Sequence, residues 1–534
     1  MTKAPRLPRR RFLLGAGGLA VAAGAGWGAT FLTVYGDRRR SNVGELSFRN
    51  ALRIPELLDP APSADGRRHY RLTLAPGTSE LLPGRRTPTW GANGPYLAPT
   101  LRARRGDRVA MTVRNRLPEA TTLHWHGMLL PASMDGGPHQ MIPTGADWQP
   151  SWTVHQSAAT LWYHPHPHGS TGSHVYRGVA GMIILDDEHS DRAALPRAYG
   201  VDDVPLVIQD KNFHADGTLD LTETKLAETV AGADNLGVLG DTILVNGTYD
   251  PYFRVTTRRV RLRLLNGSNA RVYWLGFTDD RVFHQVATDA GLLQRPRALH
   301  RLLLAPGERA EIVVEFAPGD ETVLRGFEPS LHLGFPTERF MGGDDTFDII
   351  ALRAAPRLEP SPALPARLDG APAPVAAPAG ARRRHFEFTG LQINGRTMDM
   401  GRVDEVVPAG TTEIWEVERG DDWVHVFHVH GAVFHVLDIG GKQPPPYARG
   451  PKDTFYLHEF GTARLAVRFD TLTDPRAPYM YHCHVLRHED EGMMGQFTVV
   501  PPGAEDRAPR TVPYGMPHAG GDAHGPPGGT SHHH

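Results

Sequence analysis

The chain has 534 residues, with Lys+Arg 57 against Asp+Glu 59 and a formal net charge of -2, a near-balance that excludes global attraction to nucleic acid or anionic membrane and leaves function to a local site. Its length suits roughly three domains of about 100–200 residues. With 46 Pro and 58 Gly and few long helical patterns, the composition favours an all-β class of short strands and turns, and a single cysteine, Cys483, excludes an internal disulfide.

In chain order, Lys3, Arg6 and Arg9-Arg10-Arg11 precede an uncharged stretch from Phe12 to Tyr35, the form of an export signal. Arg9-Arg10-Arg11-Phe12-Leu13-Leu14 resembles a twin-arginine signal, and Ala23-Gly24-Ala25 offers a cleavage site. Residues 1–40 are read as this signal, with removal favoured over a retained anchor, although the stretch is long enough to span a bilayer. Location is then expected in the periplasm, the cell envelope or outside the cell.

A first domain is expected over residues 45–190 and a second over 200–355. A Gly turn followed by an alternating strand recurs at Arg102–Leu117, His300–Phe316 and Asp404–Glu418, a faint internal repeat. The runs Val260–Leu264 and Arg464–Phe469 alternate apolar and polar residues, as sandwich strands do with one face toward a core and one toward water. Residues 356–384 are Pro/Ala-rich and read as an extended linker. A last domain follows over 385–502. The tail from 503 to 534 is expected to be disordered, its closing His532-His533-His534 being solvated or an appended tag.

Four His-x-His pairs stand out: His124/His126, His164/His166, His428/His430 and His482/His484. On a strand, residues i and i+2 share a face about 6–7 Å apart, so each pair aims two imidazoles into one cavity. Eight imidazoles exceed what one first-row ion takes but suit several ions held where the first and last domains meet. Cys483, His488 and Met493 lie within eleven residues of one another. With one further imidazole they make the blue-copper set of a thiolate, two His and a weak axial Met.

His124-Trp125-His126-Gly127, His164-Pro165-His166, His425-x-x-His428-x-His430-Gly431 and His482-Cys483-His484-x-x-x-His488-x-x-x-x-Met493 resemble the four copper signatures of the multicopper oxidases. The likeness runs from about residue 45 to 502. It implies three cupredoxin-like Greek-key β-sandwich domains and four coppers per chain. It also implies type 1 copper on His425, Cys483 and His488 with Met493 axial, type 2 copper on His124 and His428, and a type 3 pair on His126, His164 and His484 and on His166, His430 and His482. Val426 stands where that family commonly has Pro, and only a local backbone adjustment is expected. The resemblance implies that a reducing substrate gives single electrons to type 1 copper, that Cys483 relays them to His482 and His484, and that the cluster reduces O2 to water.

Asp135 and Glu489 resemble the family's proton-delivering acids, although Asp135-Gly136-Gly137 is also an ordinary turn signature. His168 continues the alternation of His164 and His166 but is left unliganded by the family pattern. Asp421, four residues before His425, is either a substrate-side group or a loop carboxylate. Relatives that oxidise Cu(I) carry a methionine-rich insert before the last domain. Between residues 330 and 400 this chain has only Met341, Met398 and Met400, so a laccase-like enzyme with an open type 1 site is expected, taking phenols or aromatic amines, with weaker oxidation of Cu(I). A monomer is expected, with membrane contact only through an uncleaved signal. A copper-storage or carrier protein is the non-enzymatic alternative. A copper-free scaffold, like the cell-division relatives, would lack some ligands, and copper nitrite reductases lack the four paired motifs.

Overall fold

A computed structural model describes Tyr35 and residues 39–61, 65–222, 236–368, 371–458 and 461–513. The signal or anchor read over residues 1–40, apart from Tyr35, Arg39 and Arg40, and the closing histidines lie outside the described residues. No described helix is long and apolar enough to cross a membrane. The chain is 47% strand and 7% helix, which is the all-β class, and each domain pairs two sheets.

In the first domain, Arg68–Leu82 runs parallel to Arg108–Asn115, with Tyr70 opposite Met111 and Leu72 opposite Val113. Alternation sends these apolar side chains inward, each 3% exposed or less, against a facing sheet that contains Thr100–Arg104, Gly181–Asp186 and Ala159–Tyr163. In the last domain, Arg383–Thr389, Thr412–Arg419, Ala463–Phe469 and Ala432–Ile439 form most of one sheet; Glu405–Pro408, Met494–Val500, Asp474–Cys483, Val426–Val429 and Thr454–Tyr456 form the other. Trp415 and Phe427 fill the space between them.

Several expectations need correction. Residues 45–51 belong to the middle domain, not the first: Asn50–Ala51 pairs parallel with Pro251–Thr257, and Asn42 and Asp348 exchange hydrogen bonds. The faint repeat misplaces its middle copy. Arg108–Asn115 and Thr412–Arg419 each lie between a parallel and an antiparallel neighbour. In the middle domain that place is taken by Arg259–Asn266, whereas Arg309–Glu315 is its antiparallel partner. Between Glu359 and Arg383 the described linker residues form no helix or strand, and Leu368 is buried against Leu292 and Val313. Residues 503–513 are ordered, with Val512 packed on Val403, Val406 and Val500.

Arg261 and Arg263, expected to face water, are 6% and 2% exposed. Their side of the middle sheet is covered by the first domain, and the charges are neutralised in place. Arg263 Nε lies 2.7 Å from Asp203 Oδ1 and its Nη1 2.9 Å from Glu311 Oε1, while Thr160 of the first domain donates to Glu311 at 2.6 Å. Burial opposes ionisation of Glu311, but Arg261 and Arg263 hold its carboxyl down at about 2. Removing one partner strands the others in low dielectric. Arg263→Met is therefore expected to cost about 3–5 kcal/mol in denaturant titration, and a loss below about 1 kcal/mol would contradict this reading.

Candidate metal centre

The first and last domains each bring two His pairs to a shared wall. His124 and His164 face each other in an antiparallel bridge, the His124 N–H donating to the His164 carbonyl at 2.7 Å and the reverse bond measuring 3.1 Å. In the last domain, Val426–Val429 lies antiparallel to Asp474–Cys483, placing His428 opposite His482 and Phe427 opposite Cys483. The two walls interleave. His126 stacks on His428 with ring centroids 3.7 Å apart, and His124 on His430 at 3.9 Å. All eight imidazoles are at most 1% exposed, whereas His168 is exposed and stands apart.

Hydrogen bonds fix which nitrogen of each ring is bare. His124 Nδ1–H donates to the Asp135 carbonyl and His428 Nδ1–H to the Asp453 carbonyl, both at 2.9 Å, leaving two buried Nε2 atoms without a partner. His430 Nδ1–H donates to Asp135 Oδ2 at 2.6 Å and His482 Nδ1–H to the Cys483 carbonyl at 3.0 Å. Their bare Nε2 atoms nevertheless face each other at 3.2 Å. The same conflict recurs where His126, its Nε2–H given to Thr454 at 2.9 Å, faces His164, its Nδ1–H given to the Pro165 carbonyl at 2.8 Å, across 3.3 Å. Lone pair against lone pair in a dry cavity is repulsive, and a shared cation reverses the sign. Donor set and geometry therefore fit copper.

Burial pushes the pKa of His126, His164, His166, His428, His430 and His484 well below the ordinary value and that of His482 down to about 3, so the rings are neutral, the ligating form. In the unfolded chain they protonate below about pH 6.5. Unfolding then takes up protons, and stability present above that pH is lost as pH falls toward the folded values. The metal-free protein should lose about 1.4 kcal/mol per pH unit for each ring that stays neutral, measured by denaturant titration between pH 7 and 5; a flat profile would contradict this.

A second group lies on the outer side of Cys483. Its Sγ is 3.6 Å from His425 Nδ1 and 3.4 Å from His488 Nδ1, and all three side chains are fully buried. Met493, also buried, ties its backbone to both neighbours: its N–H donates to the His488 carbonyl at 2.8 Å and its carbonyl accepts from Cys483 N–H at 3.1 Å. Burial, with Glu489 and Asp421 adding to it, pushes the Cys483 thiol up to about 12, so a thiolate here requires a bound cation. Val426 N–H donates to Cys483 Sγ at 3.5 Å, a bond that proline lacks. The departure from the family pattern therefore has an electronic consequence beyond backbone adjustment. A donor at the thiolate withdraws charge and raises the potential of its metal, so Val426→Pro is expected to lower it by roughly tens of millivolts in a redox titration, and an unchanged or higher potential would contradict this.

Asp135 and Glu489 both touch the cluster's ligands. Asp135 accepts from His430, as above, and Glu489 lies 3.2 Å from His166 Nδ1 and 3.3 Å from His482 Nδ1. Asp421 accepts from His425 Nε2 at 3.1 Å, placing it at the rim of the Cys483 site. That site is not open. Trp423 stacks on His488 at 5.7 Å, and Gly334, in a middle-domain loop, donates to Asp422. The rim of this site is therefore made by Asp421 and Trp423 rather than by a bare imidazole edge.

Sequence reasoning missed a buried support. Asp453 lies 3.2 Å from His126 Nε2 and is paired with Arg309 at 2.5 Å, while Lys452 bonds Asp289 at 2.7 Å and Glu308 at 3.0 Å. The charged run Lys452-Asp453 within a strand-rich stretch was the available signal. Gly307 (φ +80°) is also needed, since a Cβ there would lie 2.9 Å from the His484 ring.

Two segments, residues 73–190 and 371–503, match family models described as multicopper oxidase. The chain is 34% identical over 464 residues to a multicopper oxidase of Staphylococcus aureus, covering 86% of this chain and 94% of the relative. It is 35% identical over 498 residues to the cell division protein FtsP of Salmonella typhimurium, covering 92% and 99%. A solved laccase-like multicopper oxidase from Ochrobactrum sp., described as having oxidase activity towards lignin model compounds and lignosulfonate, superposes with a TM-score of 0.75 at 34% identity, covering 84% of this chain and all of that one. The converging imidazoles, the cysteine sulfur beside them and this end-to-end similarity place the chain in the multicopper oxidase family, copper-binding oxidoreductases that pass electrons from reducing substrates to O2.

Proposed function

We propose that this protein is a laccase-like oxidase holding four coppers per chain, taking single electrons from phenols or aromatic amines and reducing O2 to water. His425, Cys483, His488 and Met493 would hold type 1 copper, and His124 and His428 type 2. His126, His164 and His484 would hold one type 3 ion, and His166, His430 and His482 the other. When bound, copper supplies the redox chemistry. The chain's own groups do the rest: the Nδ1–H bonds orient the rings, burial excludes water, Cys483 joins the two centres through His482 and His484, and Asp135 and Glu489 stand against the ring nitrogens as the acids that would deliver protons.

The observation that carries the reading as an enzyme rather than a carrier is the pair of bare-nitrogen contacts, one in each of the two interleaved His walls, next to Cys483, whose sequence neighbours His482 and His484 both belong to the cluster. The organic donor is favoured because the rim presents Trp423 and Asp421, while Met341, the methionine nearest that rim in sequence before the last domain, is buried. Steady-state oxygen uptake with a phenolic donor should exceed that with Cu(I); a strong preference for Cu(I) would favour cuprous oxidation instead. A monomer exported by the twin-arginine route to the periplasm, envelope or exterior completes the proposal, supported by Arg9-Arg10-Arg11 and the single cysteine.

A further inference from the structure

Where the middle and last domains meet, a cleft of 510 Å³ opens beneath the linker. One wall is linker, with Pro372 and Val375, the latter fixed by its N–H donating to His435 Nδ1 at 3.2 Å. The apolar floor includes Leu292 and Leu293, and Arg295, Arg297 and Arg449 stand around it. No Asp or Glu is among its lining residues. Several surface arginines elsewhere do meet carboxylates, as in Arg114 with Asp147 at 2.7 Å and Arg259 with Glu315 at 3.0 Å.

Arg297 is half-buried, and its guanidinium bonds only neutral acceptors among the described residues, the carbonyls of Pro446 and Arg449. Arg449 is likewise held by the Pro444 carbonyl at 2.7 Å. These bonds pre-orient two cations without neutralising either. Burial and the neighbouring Arg449 both push the Arg297 pKa down, the signature of charge still lacking a counter-ion. Guanidiniums in this state are matched by a planar carboxylate or a tetrahedral sulfonate, each of which offers two acceptor oxygens to one fork, and the leucine and proline walls suit an aromatic body.

We propose that this cleft is a binding site for an aromatic carboxylate or sulfonate, separate from the copper centres and independent of the donor assignment. Its inner wall continues from Pro451 through Lys452 to Asp453, the residue against His126.

The test is calorimetric titration of the copper-loaded full chain with benzene-1,3-dicarboxylate and, separately, with the neutral isosteric diamide. The dicarboxylate should bind once and saturably, and the diamide at least about tenfold more weakly. Arg297→Gln and the exposed Arg449→Gln should each weaken the dicarboxylate by roughly tenfold, so the comparison survives if one variant folds poorly. Equal binding of diamide and dicarboxylate, unchanged binding in the variants, or no saturation by about 10 mM would overturn the proposal.

Discussion

Cys483→Ser is expected to abolish the intense blue absorption and to lower oxidation of every donor by on the order of 10³-fold or more. Cys483 is the only sulfur nucleophile in the chain. It sits 3.6 and 3.4 Å from the ring nitrogens of His425 and His488 and is flanked in sequence by two rings of the cluster. A serine oxygen is a poor partner for a soft metal, so the loss removes both the electron-accepting site and the start of the relay. The eight cluster imidazoles remain, so copper content should fall by about one ion per chain rather than to zero. Metal analysis with turnover assays checks both halves. A variant that kept its blue band or its turnover would place the electron entry elsewhere.

Glu489→Gln is expected to lower kcat by about 10²-fold or more while leaving kcat/KM for the donor unchanged. The side chain is 1% exposed, and burial, with Asp490 adding to it, pushes its pKa well above the ordinary carboxyl range. It therefore holds a proton in a dry site within 3.3 Å of both His166 and His482. Glutamine keeps the shape but cannot release and regain that proton. The short helix Leu486–Asp490 fixes it there, since Asp490 accepts from the N–H groups of Thr171 and Gly172 at 2.7 and 2.8 Å in the first domain. Stopped-flow reduction of the blue band should stay fast while steady-state oxygen uptake slows. Unchanged turnover would remove Glu489 from proton delivery.

The site was largely legible in the sequence because its chemistry is local: His-x-His on a strand needs only a period of two to aim both rings alike, and Cys483 sits between two such rings. The sides of strands were less legible. Arg261 and Arg263 alternate with leucines as a water-facing row would, and only the first domain's Thr160, 151 residues before Glu311, shows that the row is interior. Asp453 and Arg309 escaped notice for the same reason, being 144 residues apart. The rim of the Cys483 site depends on a loop from another domain folding over Asp422 and was expected to be open. Composition marked the linker but not the cleft beneath it, which exists only where two domains meet.

The central claim is that imidazoles from both ends of the chain form one oxygen-reducing pocket wired to Cys483. An oxygen electrode, with donor oxidation followed optically and peroxide assayed in parallel, tests it most directly. The account predicts about four donor electrons consumed per O2 with no peroxide released. About two electrons per O2 with peroxide accumulating, or no oxygen uptake by the fully metallated protein, would contradict it.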